Sequence, residues 1–216
     1  MPIPEPGGGG PPTEPIDSIL KKISELANLY SDSIYNLSLN QRAEYSFTIV
    51  AGHNNILDTF HVHTNGSGMA VVPTLRVPMG KRLRGIWHSH IVDEPIPLTD
   101  TTARSGPSGD DVGNLFDLLN LDPSVPILTD CGNIRYALVV ENSKKANTFF
   151  RTPGNGPLLL YNKLLQLVHA DPRVYTSEFQ NLTIEKLLLI LGSSASHGIA
   201  LYKSNNVTKT TYTKLN

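Results

Sequence analysis

The stretch RGIWHSHIVDEPIPLTDTTARSGPSGDDVGNLFDLLN, residues 84–120, decides how this chain is interpreted. It begins with a β-like apolar segment that runs into His88-Ser89-His90, and a polar loop follows. Because alternate side chains of a strand share one face, both histidines point to the same side and Ser89 is turned away. Two imidazoles on one face can bind one metal ion, so this stretch predicts a metal site.

A third ligand has to come from another part of the chain, because catalytic zinc usually has three protein ligands and leaves its fourth position to water. Asp111 is the candidate. Ser108 stands where a helix N-cap belongs, and the apolar residues after it recur at helical spacing, which places Asp111 in the first turn of a helix. Three other carboxylates in the preceding loop remain alternatives: Asp93, Glu94 and Asp100.

These residues carry a resemblance to a known family. A His-x-His pair followed by Ser-x-x-Asp, with a glutamate upstream at the start of a β-hairpin, resembles the JAMM/MPN (JAB-domain) zinc metallopeptidases. The matching residues, in chain order, are Glu44, His88, His90, Ser108 and Asp111. By order of elements the resemblance covers roughly residues 15–141. The 17 residues between His90 and Ser108 exceed the family's usual spacing. We interpret the excess as an insertion, since surface loops accept added residues at small cost.

The resemblance implies a fold and a mechanism. It implies a JAMM/MPN-like (cytidine-deaminase-like) mixed sheet flanked by helices, with a Zn²⁺ site of His88, His90 and Asp111 at the sheet edge. A bound metal lowers the pKa of water from about 15.7 toward about 7. Glu44 is then expected to take the proton of that water, and the Ser108 hydroxyl to donate to the oxygen that becomes negative. The implied substrate is a protein or peptide, including conjugates of small protein modifiers.

Two other functions remain open. The chain is also compatible with a catalytically silent MPN-type scaffold or binding module, although candidates at all five motif positions argue against that. It is compatible, too, with a processing or toxin-type peptidase domain of a larger secreted or phage-associated polypeptide. Taken alone, Ser108 and Asp111 are only a favourable helix start, and Glu44 is only a polar residue at the start of a strand.

Other residues with possible chemistry carry weaker patterns. His61-Val62-His63 is a second His-x-His on a predicted strand, but no Ser-x-x-Asp helix start follows it before the next strand, so we interpret it as structural or exposed. The single cysteine, Cys131, excludes an intrachain disulfide and the Cys-x-x-Cys of zinc deaminases. A net charge of −1 gives no electrostatic signature of nucleic-acid binding.

The elements predict an α+β fold. Residues 1–15 are rich in Pro and Gly and predict a flexible leader, while residues 16–216 predict one domain, with a core at 16–141 and C-terminal helices and a hairpin at 142–216. No signal peptide or membrane-spanning run is recognisable, so we expect a soluble chain that does not bind membranes.

Predicted helices cover residues 16–34, the segment after 108, 158–169 and 183–191. Predicted strands cover 44–50, 56–62, 69–77, 83–87, 126–129, 135–140, 199–203 and 207–213.

Overall fold

A computed structural model describes residues 14–41, 43–64, 75, 77–90, 107, 109–131, 134–175, 179–205 and 208–216. Within these residues the strands are β1 Ser46–Ala51, β2 Leu57–His63, β3 Arg82–Ser89, β4 Ile127–Cys131, β5 Ile134–Val140, β6 Ile199–Ser204 and β7 Tyr212–Lys214. The helices are α1 Ile16–Gln41, α2 Gly109–Leu121, α3 Ser143–Arg151, α4 Pro157–His169, α5 Phe179–Leu191 and α6 Ser194–His197, with a 3₁₀ turn at Pro172–Tyr175. All seven strands form one mixed sheet in the order β2-β1-β3-β4-β5-β6-β7, which confirms the α+β class.

Helix α1 covers one face of the sheet. Its apolar residues recur three or four positions apart, and Leu20, Ile23 and Ala27 are fully buried. They pack with the side chains that alternate strand positions send to this face, such as Trp87 of β3. Gly85 of β3 permits the close approach, because a Cβ there would lie 3.3 Å from the Ile49 side chain and 3.6 Å from Ile23. This face is therefore a helix-on-sheet core.

The opposite face carries most of the remaining helices. Helix α2 contacts α4, and α4 contacts α5, over the middle of the sheet. Their apolar cluster takes strand residues from β3, β4, β5 and β6, and none of its described members comes from β1 or β2. No helix in the described part of the chain is long and apolar enough to cross a membrane.

One pair of neighbouring strands is parallel. β3 and β4 run in the same direction, with His88 opposite Thr129, whereas the other described pairs are antiparallel. A parallel pair needs a crossover connection, and here the crossover contains α2. The strand order also corrects the prediction that the metal site lies at an edge of the sheet. β3 is an interior strand between β1 and β4, and the candidate site lies at its C-terminal end.

Several boundaries differ from the predicted ones. Helix α1 continues to Gln41, α5 begins at Phe179, and β7 begins at Tyr212. The sequence does not predict helix α3, because only Ala146, Phe149 and Phe150 of its nine residues are apolar and they form no extended helical pattern. Local capping defines its start, since the Asn142 side chain accepts a hydrogen bond from the Lys145 N–H. The leader up to residue 13 and most of the predicted strand at 69–77 lie outside the described residues, and Leu75 and Val77 are not in a strand.

A buried ionic cluster joins α1, β4, β5 and the C-terminal segment. Arg135 is fully buried and donates from Nε and Nη2 to the two Asp130 carboxylate oxygens, at 2.5 and 2.9 Å. Its other donors reach Asn28 Oδ1 at 3.0 Å and Ser31 Oγ at 3.1 Å on α1. Lys209 Nζ adds a second cation 3.2 Å from Asp130. These cations hold the pKa of Asp130 below its usual range, against the opposing effect of burial.

Asp130→Asn is expected to lower the free energy of unfolding by about 3 kcal/mol, because it leaves two buried cations without a negative partner. Chemical denaturation measures the loss. Glu25→Gln is the control, since it removes only the exposed 3.9 Å pair with Lys21 and should change stability by less than about 0.5 kcal/mol. Equal losses in the two variants would show that the buried cluster does not stabilise the fold.

Candidate metal centre

Backbone hydrogen bonds on both sides hold the end of β3 in place. The Ser89 N–H donates to the Tyr45 carbonyl at 2.9 Å, and the Tyr45 N–H donates to Ser89 Oγ at 3.2 Å. On the other side the His90 N–H donates to the Asp130 carbonyl at 3.1 Å. His88 lies in β3, and His90 follows directly after its last residue. Strand alternation then directs both imidazoles to the face that carries α2, as the sequence predicts.

Helix α2 brings Asp111 to the two histidines. Asp111 lies in the first turn of the helix and is 1% exposed. Its Oδ1 is 2.7 Å from His88 Nε2, and its Oδ2 is 3.4 Å from His90 Nε2. The two Nε2 atoms are 3.1 Å apart. The three predicted ligands therefore meet at one buried point, and they form a group that could hold a metal ion.

These atoms lie close enough together to reach a single ion. Ligand atoms bound tetrahedrally at about 2.0–2.1 Å from one ion lie about 3.3 Å from each other. The two Nε2 atoms are 3.1 Å apart, and one ligand atom from each of the three residues lies within 4.8 Å of the other two. Two imidazole nitrogens and a carboxylate oxygen are also a donor set that divalent transition metals accept. The residues present thus fit a bound divalent metal.

Burial and charge act together on the ionisable groups. Burial alone lowers the pKa of His90, but the hydrogen bond that its ring donates to Asp111 and the negative charge of Asp111 raise the pKa well above the usual value of 6.5. The charge and hydrogen bonds of the two histidines hold the pKa of Asp111 far below its usual range, although burial opposes this. Asp111 is therefore an anion at neutral pH, which suits a metal ligand.

Cys131 is a member of this site that the sequence did not connect to it. It ends β4 next to the Asp130 carbonyl that accepts the His90 N–H, and its thiol lies close enough to the His90 ring for each group to affect the pKa of the other. Burial raises the pKa of the thiol, which argues against a nucleophilic thiolate. Only the register of β3 and β4 reveals this neighbour.

His88 has different surroundings. Strand pairing places Ser46 of β1 and Thr129 of β4 on either side of it. Ser46 Oγ, Thr129 Oγ1 and His88 Nδ1 are buried and have no hydrogen-bond partner among the described residues. Each buried unpaired polar atom costs about 1–3 kcal/mol. A cluster of three beside the ligands is typical of a functional site, where local packing is not optimised for stability alone.

Glu44 lies on the chain just before β1, which pairs with the strand that carries His88. It precedes β1 by two residues and is half-buried. Because Ser46 pairs with His88, the same antiparallel register continued for two residues places Glu44 opposite His90. Residues opposite each other in an antiparallel pair share a face. The four described residues of the predicted site therefore lie on one side of the sheet.

The other candidates differ in position. Ser108 and the alternative carboxylates Asp93, Glu94 and Asp100 lie outside the described residues. His61 and His63 are on β2, two strands away from β3, and do not belong to the metal-binding group. Searches of protein-family models, curated proteins and solved structures found no match to this chain. The JAMM/MPN resemblance therefore rests on the motif residues themselves.

Zinc loading followed by elemental analysis is expected to give about one ion per chain, and His88→Ala/His90→Ala should lose it, because two of three ligands are gone. The matched control is His61→Ala/His63→Ala, which removes the other His-x-His pair and should keep the ion. Loss of metal in the control, or retention in the His88/His90 variant, would contradict this assignment.

The metal-free protein should lose stability as the pH rises. The pKa of folded His90 is raised above its unfolded value, so its contribution is complete below about pH 6.5 and is lost as the pH passes the higher folded pKa. Denaturation of chelator-treated protein between about pH 6 and 9 measures this. The metal-loaded protein should not show the loss, since metal binding requires deprotonated imidazoles. A flat profile for the metal-free protein would be inconsistent with a protonated His90.

Proposed function

We propose that this protein is a zinc-dependent peptidase or isopeptidase of the JAMM/MPN type. The observation that supports the proposal is the convergence of His88, His90 and Asp111 in one buried group that could hold a metal ion. Glu44, two residues before β1, is the proposed fourth residue of the motif in the described part of the chain. The mixed sheet, with α1 on one face and α2 beside the site, agrees with the fold that the resemblance implies.

Zinc is the metal that this donor set favours. Imidazole suits zinc well, a single carboxylate completes a three-ligand set, and three protein ligands leave one position open. When bound, zinc would supply a water of low pKa and polarise a carbonyl oxygen. The protein would hold three ligands in a buried site. The backbone hydrogen bonds of Ser89 and His90 fix the end of β3, which carries the two histidines.

Glu44 is the proposed general base and general acid. A carboxylate in this position would take one proton from the attacking water and return it to the nitrogen of the breaking C–N bond. The water oxygen ends on the carbonyl carbon, so the products are a carboxylic acid and an amine. Ser108, by resemblance, would donate its hydroxyl hydrogen to the carbonyl oxygen as negative charge develops there.

The substrate class of the proposal comes from the resemblance of the motif residues Glu44, His88, His90, Ser108 and Asp111. Amide bonds in an exposed chain or in a modifier conjugate are the substrates that this resemblance implies.

Glu44→Gln is expected to reduce cleavage at least a hundredfold, because the amide cannot accept the proton, while zinc content stays unchanged. A mixture of peptides and isopeptide-linked conjugates, incubated with zinc-loaded protein and analysed by mass spectrometry, provides the assay. Glu25→Gln, which changes an exposed glutamate on α1, should cleave like the wild type. Full activity in Glu44→Gln would refute the role of Glu44. A zinc-loaded wild type that cleaves nothing would favour the scaffold function.

A further inference from the structure

Three polar side chains form one row across the sheet at the metal centre. Strand pairing places Ser46 of β1 opposite His88 of β3, and Thr129 of β4 opposite His88 on its other side. Directly paired residues share a face of the sheet, so all three side chains lie on the face that carries α2. Ser46 and Thr129 are at most 1% exposed, and their hydroxyl oxygens have no hydrogen-bond partner among the described residues.

The two ring nitrogens of His88 have different surroundings. Nε2 is 2.7 Å from Asp111 Oδ1 and 3.1 Å from His90 Nε2, so it is the nitrogen on the side of the metal site. Nδ1 is buried, and no described residue forms a hydrogen bond with it. A carboxylate oxygen only accepts, so in a neutral ring without metal Nε2 carries the hydrogen and Nδ1 is an acceptor. Once Nε2 binds a metal, the hydrogen of the neutral ring is on Nδ1, which becomes a donor.

A hydroxyl is the group that can pair with Nδ1 in both states. It donates one hydrogen, has two acceptor lone pairs, and rotates its hydrogen to suit the partner. A hydroxyl can therefore donate to Nδ1 before the metal binds and accept from Nδ1–H afterwards. Metal-binding histidines nearly always give their second N–H an acceptor, and loss of that acceptor typically weakens metal binding about ten- to a hundredfold. The hydroxyls of Ser46 and Thr129 flank His88 on the two paired strands.

The type of strand pairing favours Ser46 over Thr129. The Ser89 N–H donates to the Tyr45 carbonyl, so these two residues form a hydrogen-bonded pair of the antiparallel ladder. The next pair, Ser46 with His88, is then a non-hydrogen-bonded pair, in which the Cα atoms are only about 4.5 Å apart and the side chains are closer. Serine also changes its χ1 rotamer easily, whereas the branched side chain of threonine is stiff.

We infer that Ser46 is a positioning residue of the metal centre, whose hydroxyl bonds to His88 Nδ1 and fixes the ring with Nε2 toward the ion. The bond forms in a χ1 rotamer of Ser46 that differs from the one in this structure, where Oγ has no described partner. Ser46 contacts neither the ion nor a substrate and acts through His88. The inference rests on the metal site of the proposed function and not on its peptidase activity, so zinc alone is the probe.

Zinc affinity tests the role of Ser46. Titration of the metal-free protein with zinc, in competition with a chelating indicator, measures the dissociation constant. Ser46→Ala is expected to raise this constant at least about tenfold, because His88 Nδ1–H loses its acceptor. Thr129→Val is the discriminating variant, since it removes the hydroxyl on the other flank at nearly constant shape and should change the constant by less than about twofold. Equal losses in both variants, a loss in Thr129→Val alone, or no loss in either would overturn the assignment.

A second control separates positioning from a general loss of stability. Ser31→Ala removes a buried hydroxyl that accepts from Arg135 Nη2 at 3.1 Å on the face of α1. It should lower the melting temperature and leave zinc affinity unchanged. If Ser31→Ala weakens zinc binding as much as Ser46→Ala, the effect is one of stability and the inference fails.

The ring N–H resonance of His88 gives a direct signature. In zinc-loaded wild type the Nδ1–H signal should be visible by NMR, because a hydrogen-bonded N–H exchanges slowly with water. Ser46→Ala should shift or broaden it, and an identical signal in both proteins would overturn the inference. Unchanged affinity in Ser46→Ala would leave the metal site and the proposed function intact. A wild type that binds no zinc would end both, and that result is measured on the wild type alone.

Discussion

The parallel pairing of β3 with β4 is the constraint on which the candidate site depends. Parallel neighbours cannot be joined by a tight turn, so the chain must leave the end of β3 and cross the face of the sheet. Helix α2 makes this crossing, and its first turn lies beside the end of β3, where Asp111 meets His88. The same pairing gives the His90 backbone its partner, the Asp130 carbonyl. The topology thus brings Asp111 to two histidines that precede it in the sequence by 23 and 21 residues.

The two faces of the sheet stabilise the site in different ways. On the face of α1, the Asp130–Arg135 pair is fully buried and each of its two charges has a partner. On the other face, Ser46, His88 and Thr129 carry polar atoms that have no partner among the described residues, and two histidines share one buried carboxylate. This part of the sheet therefore has a paired ionic cluster on one face and unpaired polar atoms on the other. Such a combination suits a site that must keep its geometry and still bind an ion.

The sequence predicted the features that depend on local pattern. Alternation in His88-Ser89-His90 predicted that both imidazoles lie on one face of a strand. The helical spacing of apolar residues after Ser108 predicted α2 and put Asp111 in its first turn. Features that depend on strand register could not be predicted. The contact of Cys131 with His90 requires the β3–β4 pairing. Helix α3 has too few apolar residues to show a helical pattern, and its start depends on a single cap. A bulge in β2 also could not be predicted, because no glycine marks it. His61 takes the left-handed conformation there, which glycine adopts most readily.

A metal ion held by His88, His90 and Asp111 is directly visible by anomalous diffraction at the zinc edge, from crystals of the zinc-loaded protein. We expect one strong peak about 2.0–2.2 Å from both Nε2 atoms and from a carboxylate oxygen of Asp111. A peak at His61 and His63 instead, or none at the end of β3, would contradict this assignment.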